Sequence, residues 1–120
     1  MELQSLLNQI KAHPDFPKAG MVLCHNGVVR ESSRDGRKVS GLRVSVDEDR
    51  LSVILDRQKK LPGIVDILVE IKDGVDLKVG DDVMVLIVAG DVRENVINVL
   101  HETLNQIKST VTSKTEFYID

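Results

Sequence analysis

The sequence predicts an α+β domain, hammerhead-like, with a mostly antiparallel sheet and flanking helices. Stretches with the 3.6-residue helical period alternate with short runs that alternate apolar and polar residues or are apolar throughout. The strand-like runs come mainly in neighbouring pairs, with few clean βαβ units. At 120 residues, 42% of them hydrophobic, the chain has the size and apolar content of a single domain spanning 1–120. With two Phe, one Tyr and no Trp, the core of that domain must be aliphatic.

Leu3, Leu6, Leu7 and Ile10 fall on one helical face, and His13-Pro14 disfavours further helix because proline restricts the residue before it. After a loop holding Pro17 and Gly20, Met21 to Val29 reads as a strand, and Val39 to Val46 as a second. Between them, Arg30 to Lys38 is a hairpin-like excursion marked by Asp35-Gly36, with four basic residues against two acidic ones. Asp47 is the expected N-cap of a helix carrying Leu51, Ile54, Leu55 and Leu61 inward and ended by Pro62-Gly63.

Two further strands follow. Ile64 to Ile71 alternates in part, whereas Val83 to Ala89 is apolar throughout, as a central strand covered on both faces requires. Leu77 to Asp82 supplies the turn that launches the second of them. Asp91 followed by Glu94 has the pattern of a capping box and predicts a helix whose stripe is Val92, Val96, Val99, Leu100, Leu104 and Ile107. Thr110 to Ile119 alternates β-branched, polar and aromatic residues and predicts a final strand.

Composition excludes several functions. A formal net charge of −3 and three aromatic residues do not suit a nucleic-acid or membrane-surface partner, so any anion site has to be local. One cysteine, Cys24, allows no internal disulfide or cysteine-based metal cluster and is expected to be a small buried hydrophobe. Met1 to Ala12 interrupts its leucines with charges, and no run reaches the roughly 18 apolar residues of a spanning helix. A soluble, unprocessed, cytoplasmic protein is the expectation.

Nucleotide-binding glycine patterns, H-E-x-x-H and G-x-S-x-G are all missing, and the three histidines lack metal-ligand spacing. No metal and no cofactor are therefore expected. His101 is expected to be structural, and His25 and Cys24, as strand neighbours, are expected to point to opposite faces, which disfavours a catalytic pair. The cations are more informative: Arg30 closes the first strand, Arg34, Arg37 and Lys38 follow, and Lys108 and Lys114 flank the exit of the long helix. Arg93 falls in the first turn of that helix, against the macrodipole unless an anion is also present. Helix amides together with Arg93 would make a phosphate or carboxylate site.

Several segments, in order, resemble the large, catalytic subunit of molybdopterin synthase, the MoaE family. These are Gly27-Val28-Val29-Arg30, the loop through Asp35-Gly36, the strand around Leu42, the run Gly74, Leu77, Val79-Gly80-Asp81-Asp82-Val83, and Val88-Ala89-Gly90-Asp91-Val92-Arg93. The family typically shows a G-x-V-R strand end, a G-x-L-x-x-G-D/E turn and a strand running into S-x-H-R at a helix start. The likeness extends from about Gly20 to about Glu116 and rests on order and spacing.

The resemblance implies an α/β hammerhead fold and a sulfur transferase that builds the dithiolene of molybdopterin on cyclic pyranopterin monophosphate. It also implies a partner: a small ubiquitin-like sulfur-carrier subunit whose C-terminal Gly-Gly tail brings the sulfur as a thiocarboxylate. A homodimer of large subunits within a heterotetramer would be the assembly. Carried over residue by residue, Arg30 matches the arginine of G-x-V-R and Arg93 that of S-x-H-R, a pair implied to bind substrate. Lys108 matches the lysine at the end of the long helix and, allowing one deletion, Lys114 matches that of W-K-x-E; both are implied to be catalytic, Lys108 foremost.

The pattern departs from the family at Val92, where the family has histidine, at Ser113, where it has tryptophan, and over Val46 to Leu51, which lacks the usual tyrosine and methionine. The chain also ends at Asp120, where the family continues through a W-V-E-type segment. These departures define the alternative: a catalytically impaired MoaE-like binding module that dimerises or binds a sulfur-carrier protein. An unrelated α+β domain sharing only turn chemistry is the third reading.

Overall fold

The structure, a computed structural model, describes residues 3–119; Met1, Glu2 and Asp120, and the expectation attached to the chain's end, lie outside them. Helix α1 (Leu3–Lys11) buries Ile10, with Leu6 and Leu7 half-buried and Leu3 at the exposed end of the stripe. A single 3₁₀ turn over Phe16–Lys18 occupies the loop before strand β1 (Met21–Val28). Strand β2 (Val39–Val46) leads to helix α2 (Glu48–Lys59), whose N-cap is Asp47: its carboxylate accepts from the Arg50 amide at 3.0 Å.

Strands β3 (Ile64–Ile71), β4 (Leu77–Lys78) and β5 (Asp82–Gly90), helix α3 (Arg93–Thr110) and strand β6 (Thr112–Tyr118) complete the order. The two-residue β4 lies inside the segment expected to be only a turn.

All pairing is antiparallel, and it makes two three-stranded sheets, β1-β5-β3 and β4-β2-β6. Strand β5 is the centre of the first, which explains its uninterrupted apolar run. Met84, Leu86 and Val88 face α2 and α3, where Ile54, Val96 and Ile107 meet them. Val85, Ile87 and Ala89 face Ile10 of α1 on the other side. Both faces of one strand are thus core. The second sheet holds a smaller cluster of Val29, Leu42, Val44 and Leu77. There, Gly41 lets β4 approach β2, because a Cβ would collide with the Leu77 carbonyl oxygen.

Four local expectations are corrected. No capping box opens α3: its N-cap is Val92, and the Asp91 carboxylate accepts from the Val92 amide and from the Asn95 side chain at 2.8 Å. Val92 therefore lies outside the buried stripe, half-exposed, while Thr103 joins it. Leu61 falls beyond the end of α2, and the buried residue of that last turn is Gln58, which donates to Thr103 Oγ1 at 3.1 Å. An amide is tolerated there because its partner is buried with it. Cys24 is exposed, not buried: β1 is an edge strand, and Cys24 alternates outward while His25 turns inward.

Candidate functional site

Where the two sheets meet, a cleft of about 400 Å³ opens. Its apolar wall is Leu42 and Val44 of β2, Ile71 of β3, and Val83 and Met84 of β5. Its rim and polar wall carry His25 of β1, Arg34 of the β1–β2 loop, Lys108 of α3 and Thr112 and Lys114 of β6.

An irregularity in the larger sheet shapes the opening. Gly27 pairs with Met84 but Val28 with Asp82, so Val83 is the extra residue of a β-bulge, and all of Gly27, Val28, Val83 and Met84 line the cleft. A bulge re-aims side chains and bends its strand, which suits a position where one sheet gives way to another.

The loop that delivers Arg34 is ordered by local hydrogen bonds. Gly36 adopts φ 89°, which a glycine takes without penalty. Buried Ser33 accepts from the Arg37 amide at 3.1 Å and donates to the Asp35 carboxylate. That hydroxyl, then the backbone and charge of Arg37, hold the Asp35 carboxyl below its ordinary pKa. Arg37 itself lies over the Tyr118 ring, 3.6 Å from its centre, and tethers the loop to β6. One arginine of the loop is thus anchored while Arg34 faces the cleft.

Of the residues singled out from sequence, Lys108 and Lys114 line this cleft together. Lys114 has an acidic neighbour, Glu116, at 3.9 Å. Arg30 and Arg93 are not among the lining residues. Arg30 turns back on its own loop, donating from Nε to the Ser32 carbonyl at 2.8 Å. Arg93 is exposed and pairs with Glu94 at 3.5 Å, which supplies the anion that the helix start calls for. Fifteen residues of α3 separate Arg93 from Lys108, about 22 Å at roughly 1.5 Å per residue, too far for the two side chains to meet within one protomer.

Two lining residues escaped the sequence reading of the site. Arg34 has no local feature that distinguishes it from Arg37 or Lys38. His25 had one: if Cys24 and His25 face opposite ways, one of them faces the domain interior. Burial, and then the charge of Lys108, lower the His25 pKa, so its imidazole is neutral at pH 7.

Chemically, three cations around an apolar wall will hold an anionic ligand with an apolar or planar body. A lysine beside a neutral imidazole offers a group for proton transfer.

Comparison with known proteins supports the fold. Molybdopterin synthase from Staphylococcus aureus is similar with a TM-score of 0.80 at 21% identity, covering 100% of this chain and 87% of that one. Molybdopterin cofactor biosynthesis protein E from Burkholderia multivorans gives 0.77 at 23% identity, covering 100% and 84%. A protein-protein complex of subunits 1 and 2 of molybdopterin-converting factor from Helicobacter pylori gives 0.73 at 18%, covering 100% and 85%. At these identities the likeness establishes a shared α+β fold. No curated protein sequence matches the chain. The family model for the MoaE protein matches residues 1–110, and the chain therefore belongs to the MoaE family.

Proposed function

We propose that this chain is the large subunit of a molybdopterin synthase, acting in molybdenum cofactor biosynthesis. In this reading it moves sulfur from the thiocarboxylated Gly-Gly tail of a small ubiquitin-like subunit onto cyclic pyranopterin monophosphate. Family membership supports the pathway. The observation that carries the chemistry is the convergence of Arg34, Lys108 and Lys114 on one apolar-walled cleft.

Both reactants are anions, a thiocarboxylate and a phosphate ester, and cations placed before they arrive stabilise both and the charge that develops between them. The thiocarboxylate sulfur forms its new bond to a carbon of the pterin side chain as that carbon's bond to oxygen breaks and the oxygen departs, protonated as water or carried by the phosphate. Water then adds to the tail carbonyl, the bond between sulfur and that carbonyl breaks, and the tail is released as a carboxylate. Lys108, at the cleft and exposed in the free protein, is the proton-transfer residue, with Lys114 beside it. Nothing in this scheme requires a nucleophile, metal or cofactor from the chain.

Arg93, remote from Lys108 in its own protomer, joins a site in a homodimer by reaching the partner's cleft, and Arg30 serves as its companion in substrate binding. The subunit arrangement is a large-subunit dimer with one small subunit at each end, and the compartment is the cytoplasm. Among the described residues no helix is long and apolar enough to cross a membrane.

One observation favours the second reading, a binding module without catalysis: the side chain at the start of α3, where the family has histidine, is the half-exposed Val92, which offers no hydrogen bond. The deciding experiment mixes the purified protein with a thiocarboxylated small subunit and cyclic pyranopterin monophosphate and assays dithiolene product. Product formation is expected. Tight binding of the small subunit without product selects the binding module, and failure of both partners to bind overturns the two readings together.

A further inference from the structure

His25 is the group in the cleft whose chemistry is unspent. It sits on β1 on the inward-facing side, and its Nε2 has neither solvent contact nor a hydrogen-bond partner among the described residues. The nitrogen lies 3.5 Å from where a Gly27 Cβ would stand, so the glycine leaves the ring room beside the bulge. Buried polar atoms without partners are rare, and each calls for an explanation.

The surroundings narrow the choice of partner. Every charged residue lining the cleft is a cation: Lys108 from α3, Lys114 from β6 and Arg34 from the β1–β2 loop; Glu116, next to Lys114, is not a lining residue. A neutral imidazole has one acceptor nitrogen. The other acceptor side chain on the wall, Thr112, directs its hydroxyl to the Ile107 carbonyl at 3.4 Å. Lys108 is the cation whose field His25 feels.

In the free protein Lys108 is exposed to water. A ligand that fills the cleft strips that water, and the ammonium then needs acceptors from the ligand and from the wall. We propose that His25 is a positioning residue for Lys108: on occupation of the cleft, its imidazole nitrogen accepts a hydrogen bond from the ammonium and fixes the amine against the bound anion. The hydrogen bond is a property of the cleft itself, whereas its effect on turnover rests on the sulfur-transfer reading above.

Two arms test it on the full chain. In the first, the imidazole nitrogens of His25 are followed by ¹⁵N NMR against pH and with inorganic phosphate as the cleft probe. Wild-type His25 is expected to titrate below 6.5, Lys108→Met to raise that midpoint, and saturating phosphate to move the Nε2 resonance in wild type but not in Lys108→Met. Equal midpoints in the two proteins, or a phosphate response that is absent or survives Lys108→Met, overturn the proposal.

In the second arm, sulfur transfer is measured with the small subunit. His25→Phe keeps the ring volume and removes the acceptor, and is expected to lower kcat about tenfold with KM within about twofold, as befits loss of one oriented hydrogen bond. His25→Gln, whose amide oxygen reaches a similar point, recovers most of the rate. A His25→Phe enzyme with the rate and pH profile of wild type refutes the positioning role. Wild type that binds both partners yet transfers no sulfur refutes the functional reading alone, and the NMR arm then decides the role of His25.

Discussion

The two ends of α3 carry cations of similar appearance in the sequence but sit in different surroundings. At the N-terminal end, Arg93 is solvated, paired with Glu94, and flanked by the exposed Val92 and the Asp91–Asn95 hydrogen bond. At the C-terminal end, Lys108 faces a cleft with two other cations, an apolar wall and a neutral imidazole. Both ends carry substitutable surface charges, yet within one chain Lys108 lines the cleft and Arg93 does not. A helix of 18 residues is rigid enough to hold its ends apart, so the N-terminal cation can reach such a site only on another chain.

The sharpest way to break this comparison is at the cleft end. Lys108→Ala is expected to reduce sulfur transfer about a thousandfold, the scale of losing a general acid–base group, with unchanged thermal midpoint and small-subunit binding. Normal turnover by this variant removes the proton-transfer assignment.

Its neighbour Ile107 separates fold from chemistry within one peptide. Ile107 is fully buried against β5, so Ile107→Ala should cost about 2–5 kcal/mol in urea unfolding. A loss below 1 kcal/mol would show that the cleft end of α3 is not anchored as described.

At the other end, Arg93→Ala is expected to raise the KM for the phosphorylated substrate about tenfold, one charge-assisted contact, with the fold intact. Mixing Arg93→Ala with Lys108→Ala protein sharpens the comparison. If each site takes its arginine from the partner, then with substrate well below KM random heterodimers contribute about a quarter of the wild-type rate from one intact site in two. A mixed rate no higher than the average of the two variants assayed alone would overturn the partner-supplied arginine.

The smallest effect is a pH dependence of stability. Because burial and Lys108 lower the His25 pKa, the unfolded chain takes up a proton more readily than the folded one as the pH falls below 6.5. Stability is complete above that pH and declines through the depressed folded pKa. The urea midpoint between pH 7.5 and 5 should fall less in Lys108→Met than in wild type, and equal slopes would exclude the Lys108 contribution.

Most of the secondary structure was legible because its causes are local. The Leu6, Leu7 and Ile10 stripe, the Asp47 cap and the unbroken apolar run of β5 each state their role within a few residues. The errors were local competitions. Asp91 had the spacing of a capping box but bonded Val92 and Asn95 instead, and Gln58 was buried because Thr103, 45 residues away, receives its amide hydrogen. Cys24 and His25 obeyed strand alternation, yet which of them faces inward depended on where α3 packs against β1.

The sequence by itself determined the element types, the α+β class and, through the order of short motifs from Gly27 to Arg93, the family. Those depend on hydrophobic period, turn chemistry and spacing, all of which act along the chain. Only the tertiary structure decided which cations share a cleft. Lys108 and Lys114 lie on consecutive elements, a helix and the strand that follows it, but Arg34 comes from a loop far earlier in the sequence, and antiparallel pairing and a β-bulge bring all three to one opening with His25. Arg93, near the motifs that identify the family, is held away from them by the length of its own helix.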